Sequence, residues 1–146
     1  MTTTGMDSWD QVLGRAKPAK GERNAATQYV GDDETVLHRC AATTVRQSDD
    51  GREVMAGAVT GVVTDRRLIL LHSTGGFRPK WSAITLPFGH LEPGTAQETG
   101  VDVLVPTSGR RGYRISLADA ATAERFATGL AGALRSYRRE RMGLTD

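Results

Sequence analysis

Apolar and polar positions alternate in short runs through the middle of the chain. Residues 34–47 (ETVLHRCAATTVRQ) are β-prone and end at a turn cluster, SDDGRE. Residues 54–63 (VMAGAVTGVV) predict a second strand, TDRR a tight turn, and residues 68–73 (LILLHS) a third strand. This third run is continuously apolar, which fits a strand buried on both faces or wrapped into a barrel. After the loop STGGFRPK, residues 81–88 (WSAITLPF) set Trp81 and Ala83 on one side and Ile84 and Leu86 on the other. VDVLVP and YRISL, separated by the turn TSGRRG, close the series. Five to seven strands joined by tight turns within about 85 residues predict an antiparallel sandwich or barrel.

The period then changes. Ala123, Phe126, Leu130, Ala133, Leu134 and Tyr137 form one helical stripe, with Asp119 as its cap and Gly143 as its stop. Gly129 and Gly132 each cost about 1 kcal/mol against Ala inside a helix. Their presence reflects either close approach of the helix to the sheet or no special role. At the other end, residues 1–6 read as disordered, and Ser8 caps a short helix, SWDQVLGRA, with Trp9, Val12 and Leu13 on one face. KPAKGERNAA reads as a linker. Residues 1–31 are thus an appendage whose Trp9 docks on the main domain, residues 32–142 are the domain, and residues 143–146 are a tail. The expected class is mainly β (α+β): a bent antiparallel sheet or barrel of about six or seven strands, capped by one C-terminal helix.

Composition adds little. The 146 residues suit one domain, and 25% charged with 38% hydrophobic residues is ordinary for a globular chain. The apolar runs fall short of the ~18 residues of a membrane span, and the N-terminus does not read as a secretory signal. The expected compartment is the cytoplasm, with peripheral membrane attachment as the alternative. The net charge of +2 is unevenly placed: residues 1–65 carry 7 basic and 10 acidic side chains, and residues 107–146 carry 8 and 4. The basic end either complements its own helix dipole or faces an anionic partner. Cys40, the single cysteine, reads as a small buried hydrophobe. His38 and His72 fall in strands without metal-ligand spacing, so neither a metal nor a cofactor is expected.

Residues 86–101 (LPFGHLEPGTAQETGV) resemble two pieces of a Nudix box. The match is broken. Thr95 stands where the pattern asks for Glu, and ten residues are missing before Glu98-Thr99-Gly100-Val101. Those residues would carry most of the helix whose clustered carboxylates hold Mg²⁺. Glu92 and Glu98 alone do not replace it. A degenerate Nudix-like nucleotide binder or hydrolase remains the alternative reading.

Residues 64–68 (Thr-Asp-Arg-Arg-Leu), Trp81 opening the next strand, and YRISL followed by AERFATGLAGAL resemble the bacterial pleckstrin-homology-like and GRAM-like domains over roughly residues 33–137. The resemblance implies a bent sheet plugged by its helix and a non-enzymatic binding or self-assembly role. In phosphoinositide-binding relatives the first strand-pair loop is basic. Here it is SDDGRE, which is acidic. Arg78, Lys80, Arg110 and Arg111 remain as anion- or partner-binding candidates, with Phe77 and Phe88 as apolar partner contacts at the rim. Protein partners, self-association included, are favoured. Anionic lipid is the second partner class. Nucleic acid is not expected, because few aromatics (5%) accompany the basic residues.

The missing glutamate helix leads to a first expected outcome. Nucleoside di- and triphosphates incubated with the protein and Mg²⁺ should release phosphate at the background rate. Turnover that disappears on Glu92→Gln would restore the hydrolase reading.

Overall fold

A computed structural model describes residues 21–74, 77–91, 97–107 and 110–141. The expected helix over residues 8–16, with Trp9, lies outside the described residues, as do Glu92, Gly143 and the tail. Seven strands form one antiparallel sheet: β1 (Val36–Gln47), β2 (Glu53–Thr64), β3 (Arg67–Ser73), β4 (Trp81–Pro87), β5 (Gln97–Thr99), β6 (Asp102–Thr107) and β7 (Arg110–Leu117). Their order is β4-β3-β2-β1-β7-β6-β5. A five-residue helix, α1 (Glu22–Ala26), precedes the sheet, and α2 (Ala120–Arg141) follows it. The three-residue β5 is the one strand that the hydrophobic pattern does not announce.

The sheet bends around β1. That strand pairs with β2 along its length, but with β7 only from Ala42 onward. Between Ala42 and Thr44 its register shifts against both neighbours, and the Thr43 hydroxyl donates to Ser116 O at 3.2 Å. The irregularity on β2 falls at Gly57, whose φ of 94° L side chains rarely adopt. Bulges of this kind sharpen twist and let one strand serve two halves of a curled sheet.

Period-two alternation divides the apolar residues between two cores. Leu68 and Leu70 face inward with Val45, Val63 and Ile115, while Ile69 and Leu71 face outward with Val36 and Val62. The continuous run in β3 is therefore buried on both faces, as expected. On β4, Ile84 and Leu86 join the inner cluster, and Trp81 and Ala83 the outer. The inner cluster is closed by Ala123, Phe126, Leu130, Ala133 and Leu134 of α2. The Asp119 carboxylate caps that helix by accepting from Thr122 N at 2.7 Å.

The outer cluster is covered by residues of the stretch that the sequence reading assigns to an N-terminal appendage. Ala26 and Val30 pack on Val36, Val62, Ile69 and Leu71. Glu22 opens α1 and is buried there, 3.1 Å from Arg39 Nε, with the Thr60 hydroxyl donating to its other oxygen. Glu22, Ala26 and Val30 thus pack against the sheet. Five residues are too few for a periodic signal, and the partners of Glu22 lie far along the chain.

The two helix glycines differ. A Cβ at Gly129 would sit 2.5 Å from the His38 ring, whereas one at Gly132 would meet only an Arg135 nitrogen at 3.8 Å. Close approach explains Gly129; nothing in the packing requires Gly132. Gly129→Ala should lower the melting temperature, because overpacking costs about 1–3 kcal/mol. Gly132→Ala should raise stability by up to about 1 kcal/mol. Leu130→Ala, at a fully buried position, should cost about 2–5 kcal/mol. Thermal melts of the three variants check these signs.

Candidate functional site

The TDRR element lies at the corner between β2 and β3. Thr64 Oγ1 accepts from Arg66 N at 3.1 Å and Arg67 N at 3.0 Å, which shapes the turn, and donates to the Glu34 carboxylate. Glu34 is buried. It accepts two bonds from Arg67, at 2.8 and 2.7 Å, and one from Gly31 N at 2.8 Å. Arg66 pairs with Asp33 at 3.1 Å. Asp65 accepts from Thr35 N at 3.1 Å and donates its own N–H to Thr35 O at 3.0 Å. The acidic segment before β1 and the TDRR turn therefore clasp each other. The guanidinium of Arg67 is occupied by a bidentate carboxylate, so this motif holds the fold together.

The candidate binding residues lie at the opposite end of the sheet. The antiparallel registers bring the β1–β2 turn, the β3–β4 loop and the β6–β7 turn to one end. Ser48 N donates to Gly112 O at 3.0 Å, which ties the first of these turns to the third. Arg78 and Lys80 are exposed on the β3–β4 loop, and Phe77 at its tip is 93% exposed. The loop base is closed by Thr74 N to Lys80 O and Lys80 N to Thr74 Oγ1, each 3.0 Å. The backbones of Arg110 and Arg111 begin β7 at this same end; their side chains lie outside the described residues. Asp49 and Asp50 add carboxylates beside them, so this end carries mixed charge.

Phe88 is not a rim group. Pro87 ends β4, and a 3-10 turn over Phe88–His90 swings the ring inward, where it is 1% exposed. It meets Tyr137 of α2 edge-on, with centroids 5.6 Å apart. Its place between Pro87 and Gly89 reads as a surface turn in sequence, but the helix lies over it.

An open groove of about 1240 Å³ lies between the start of β1 and one flank of α2. Leu37 and His38 line it from the strand, and Arg125, Arg135 and Arg139 from the helix. Among the described residues, Glu124 is the one carboxylate in its lining. Burial lowers the pKa of His38, so its ring is neutral at pH 7. Arg138 of the same basic run turns elsewhere and donates to Leu91 O at 3.0 Å. Sequence reasoning missed this groove. The available signal was the polar stripe Arg125, Thr128, Gly132, Arg135, Arg139, at helical spacing beside the apolar one.

Burial pushes the Cys40 thiol up to about 11, well above a reactive range. His72 Nε2 donates to Ala56 O at 2.8 Å. Among the described residues, no group of three His, Cys, Asp or Glu side chains is placed to hold a metal. The described part of residues 89–101 is 3-10 turn, bridge, strand and turn, and no helix opens there.

No family model and no curated protein matches the chain. Among solved structures it matches a crystal structure of the N-terminally truncated linker and DH/PH domains of p115-RhoGEF. The TM-score is 0.57 at 12% identity, over 85% of this chain and 35% of that one. The chain thus spans about a third of that neighbour's length. With the seven-stranded curled sheet and its C-terminal helix, the match makes the fold pleckstrin-homology-like. Among the described residues no helix is long and apolar enough to cross a membrane.

The clasp generates a pH dependence. Burial alone would raise the pKa of Glu34, but bonds from Arg67, Thr64 and Gly31 outweigh it, and the folded-state pKa is lowered. A lowered carboxylate pKa means stability that is fully present above the unfolded value of about 4.3. That stability is lost as pH falls through the folded-state pKa. Glu34→Gln should cost about 1.5–3 kcal/mol at pH 7, the range for hydrogen bonds to a charged group. The deficit should shrink in acid. Urea melts of both proteins from neutral to acidic pH check it; a constant deficit would show that the Glu34 charge is not involved.

Proposed function

We propose that this chain is a non-catalytic binding and self-assembly module whose favoured partner is protein, a second copy included. The observation that carries this reading is Phe77, 93% exposed at the tip of the β3–β4 loop. Removing a phenyl group from water is worth about 1.5–3 kcal/mol, so a contact here gains from covering it. Beside it runs β4, which pairs with β3 on one side; no strand pairs its other edge among the described residues. An open edge of this kind offers backbone groups to another chain. The pleckstrin-homology-like fold is in general a binding scaffold, and fold alone does not name a partner.

A second reading has its own observation. Arg78 and Lys80 follow Phe77 on the same loop, and an aromatic tip beside cations also suits an anionic membrane surface. Each such cation is worth at most about 1 kcal/mol there. The neighbouring Asp49 and Asp50 oppose that attraction, which favours protein.

Light-scattering mass across a concentration series, with vesicle co-sedimentation at about 150 mM salt, separates the two readings. The mass should rise with concentration. Phe77→Ser should move the midpoint of association by about tenfold or more. Anionic vesicles should leave the protein in the supernatant. A monomer at every concentration that sediments with vesicles, and loses this with Arg110→Ala and Arg111→Ala together, would make it a lipid-binding domain instead.

A further inference from the structure

Backbone groups along β4 alternate between its two edges. Thr74 N donates to Lys80 O and Phe88 N to Arg66 O, each at 3.0 Å, at the two ends of the β3–β4 pair. Between them the register runs from Arg67 opposite Pro87 to Ser73 opposite Trp81. Hydrogen-bonded and non-bonded pairs alternate along an antiparallel ladder. Ser82, Ile84 and Leu86 therefore turn their N–H and C=O groups toward β3, and Trp81, Ala83 and Thr85 turn theirs away from it. No strand meets those outward groups among the described residues. Pro79 and Pro87 hold the next positions of the same parity, and neither has an N–H to offer. The outward edge is thus a short ladder with a proline at each end.

We infer that this edge pairs with itself: β4 of one copy lies antiparallel to β4 of a second, with Ala83 opposite Ala83 on the two-fold axis. The inference rests on the self-association reading and gives it a register. Outward groups bond only to outward groups, so the allowed registers differ by steps of two residues. With Ala83 on the axis, Trp81 of each copy faces Thr85 of the other. Every outward N–H and C=O from Trp81 to Thr85 is then paired, and Pro79 faces Pro87, where no donor is missed. A shift of one step either way sets a proline opposite Trp81 or Thr85, whose carbonyl then lacks its donor.

Charge and continuity agree with the centred register. Lys80 falls opposite Leu86, so the Lys80 residues of the two copies are six positions apart along the ribbon, about 20 Å. Like charges are thereby kept from facing each other. Beyond Pro79, the loop that carries Phe77 runs toward Gly89 and His90 of the second copy, both exposed. The aromatic tip and the strand edge then belong to one continuous surface. One strand from each copy is a small contact, below the ~1,000 Å² of a stable interface, so the pair forms as concentration rises.

Cysteine cross-linking of the full chain reads the register. Across a hydrogen-bonded pair the Cα atoms lie about 5.5 Å apart, within the roughly 4.4–6.8 Å that a disulfide spans. Ala83→Cys should therefore give a disulfide-linked dimer under mild oxidation, at concentrations where light scattering shows association. Ser82→Cys and Thr85→Cys, both at exposed positions, place their Cα atoms about 8 and 13 Å from their copies. Each should cross-link at least about tenfold more slowly. The unaltered protein should stay uncross-linked, since Cys40 is buried. Thr85→Pro removes an outward N–H, keeps the bonds to β3, and should move the midpoint of association by about tenfold or more. Thr85→Lys sets a charge beside the second copy without touching the backbone and should act likewise. Circular dichroism and melting verify the fold of each variant. A dimer that responds to Phe77→Ser, but links no faster through Ala83→Cys than through the two neighbours, would overturn the β4 pairing and leave self-association standing. So would a midpoint unmoved by both Thr85 variants. A monomer at every concentration would overturn both readings and leave the edge to a strand of another protein.

Discussion

Four successive residues of β3, Leu68 to Leu71, are entirely removed from solvent. A strand points alternate side chains to opposite faces, so this run requires cover on both sides of the sheet. Much of the architecture follows from that requirement. α2 covers the inner face with its apolar stripe, and residues 22–30 cover the outer face with Ala26 and Val30. A curled sheet with one helix would leave Ile69, Leu71 and Val62 in water. The N-terminal segment is therefore a structural necessity for this version of the fold.

The outer cover is small, and its apolar area alone holds it weakly. Two carboxylates reinforce it. Glu22 joins α1 to Arg39 on β1 and to Thr60 on β2, and Glu34 joins the segment after α1 to the β2–β3 corner. A buried charge is tolerated only when fully paired, and both carboxylates accept several bonds. Such pairs add little net stability over an apolar contact, but removing one partner is costly. They fix where the cover sits more than how strongly it adheres.

This division explains what was legible in the sequence. Short β-prone runs bounded by turns, one of them continuously apolar, revealed six of the seven strands, and the stripe from Ala123 to Tyr137 revealed α2, because each pattern is a local consequence of which faces are covered. Even the two sides of β4 could be assigned from Trp81 and Ile84. The acidic clasp could not, since Glu34 and Arg67 are far apart along the chain and each alone resembles a solvated charge. Phe88 misled for a related reason: its neighbours signal a turn, and only the position of Tyr137 decides that this turn points inward. The groove was invisible because it belongs to neither β1 nor α2 but to the gap between them. Arg78 and Lys80 lie exposed on a loop, yet a shared end of a sheet is not by itself a binding site.

β1 has two partners of very different sequence distance. Its hairpin with β2 closes across the SDDGRE turn, whereas its pairing with β7 joins Gln47 to Tyr113. On a ribosome, the meander from β1 to β4 can assemble while the second half of the sheet is still being made. The edge of β1 from Ala42 to Gln47 must then wait, open, until the chain has been extended past Leu117. Closing such a long loop is slow compared with forming a hairpin, and unpaired edges attract other chains meanwhile. The bulge at Thr43 lies at the boundary between the part of β1 that is complete early and the part that is completed last. Folding of this domain is thus divided in time at the residue where its sheet is divided in space.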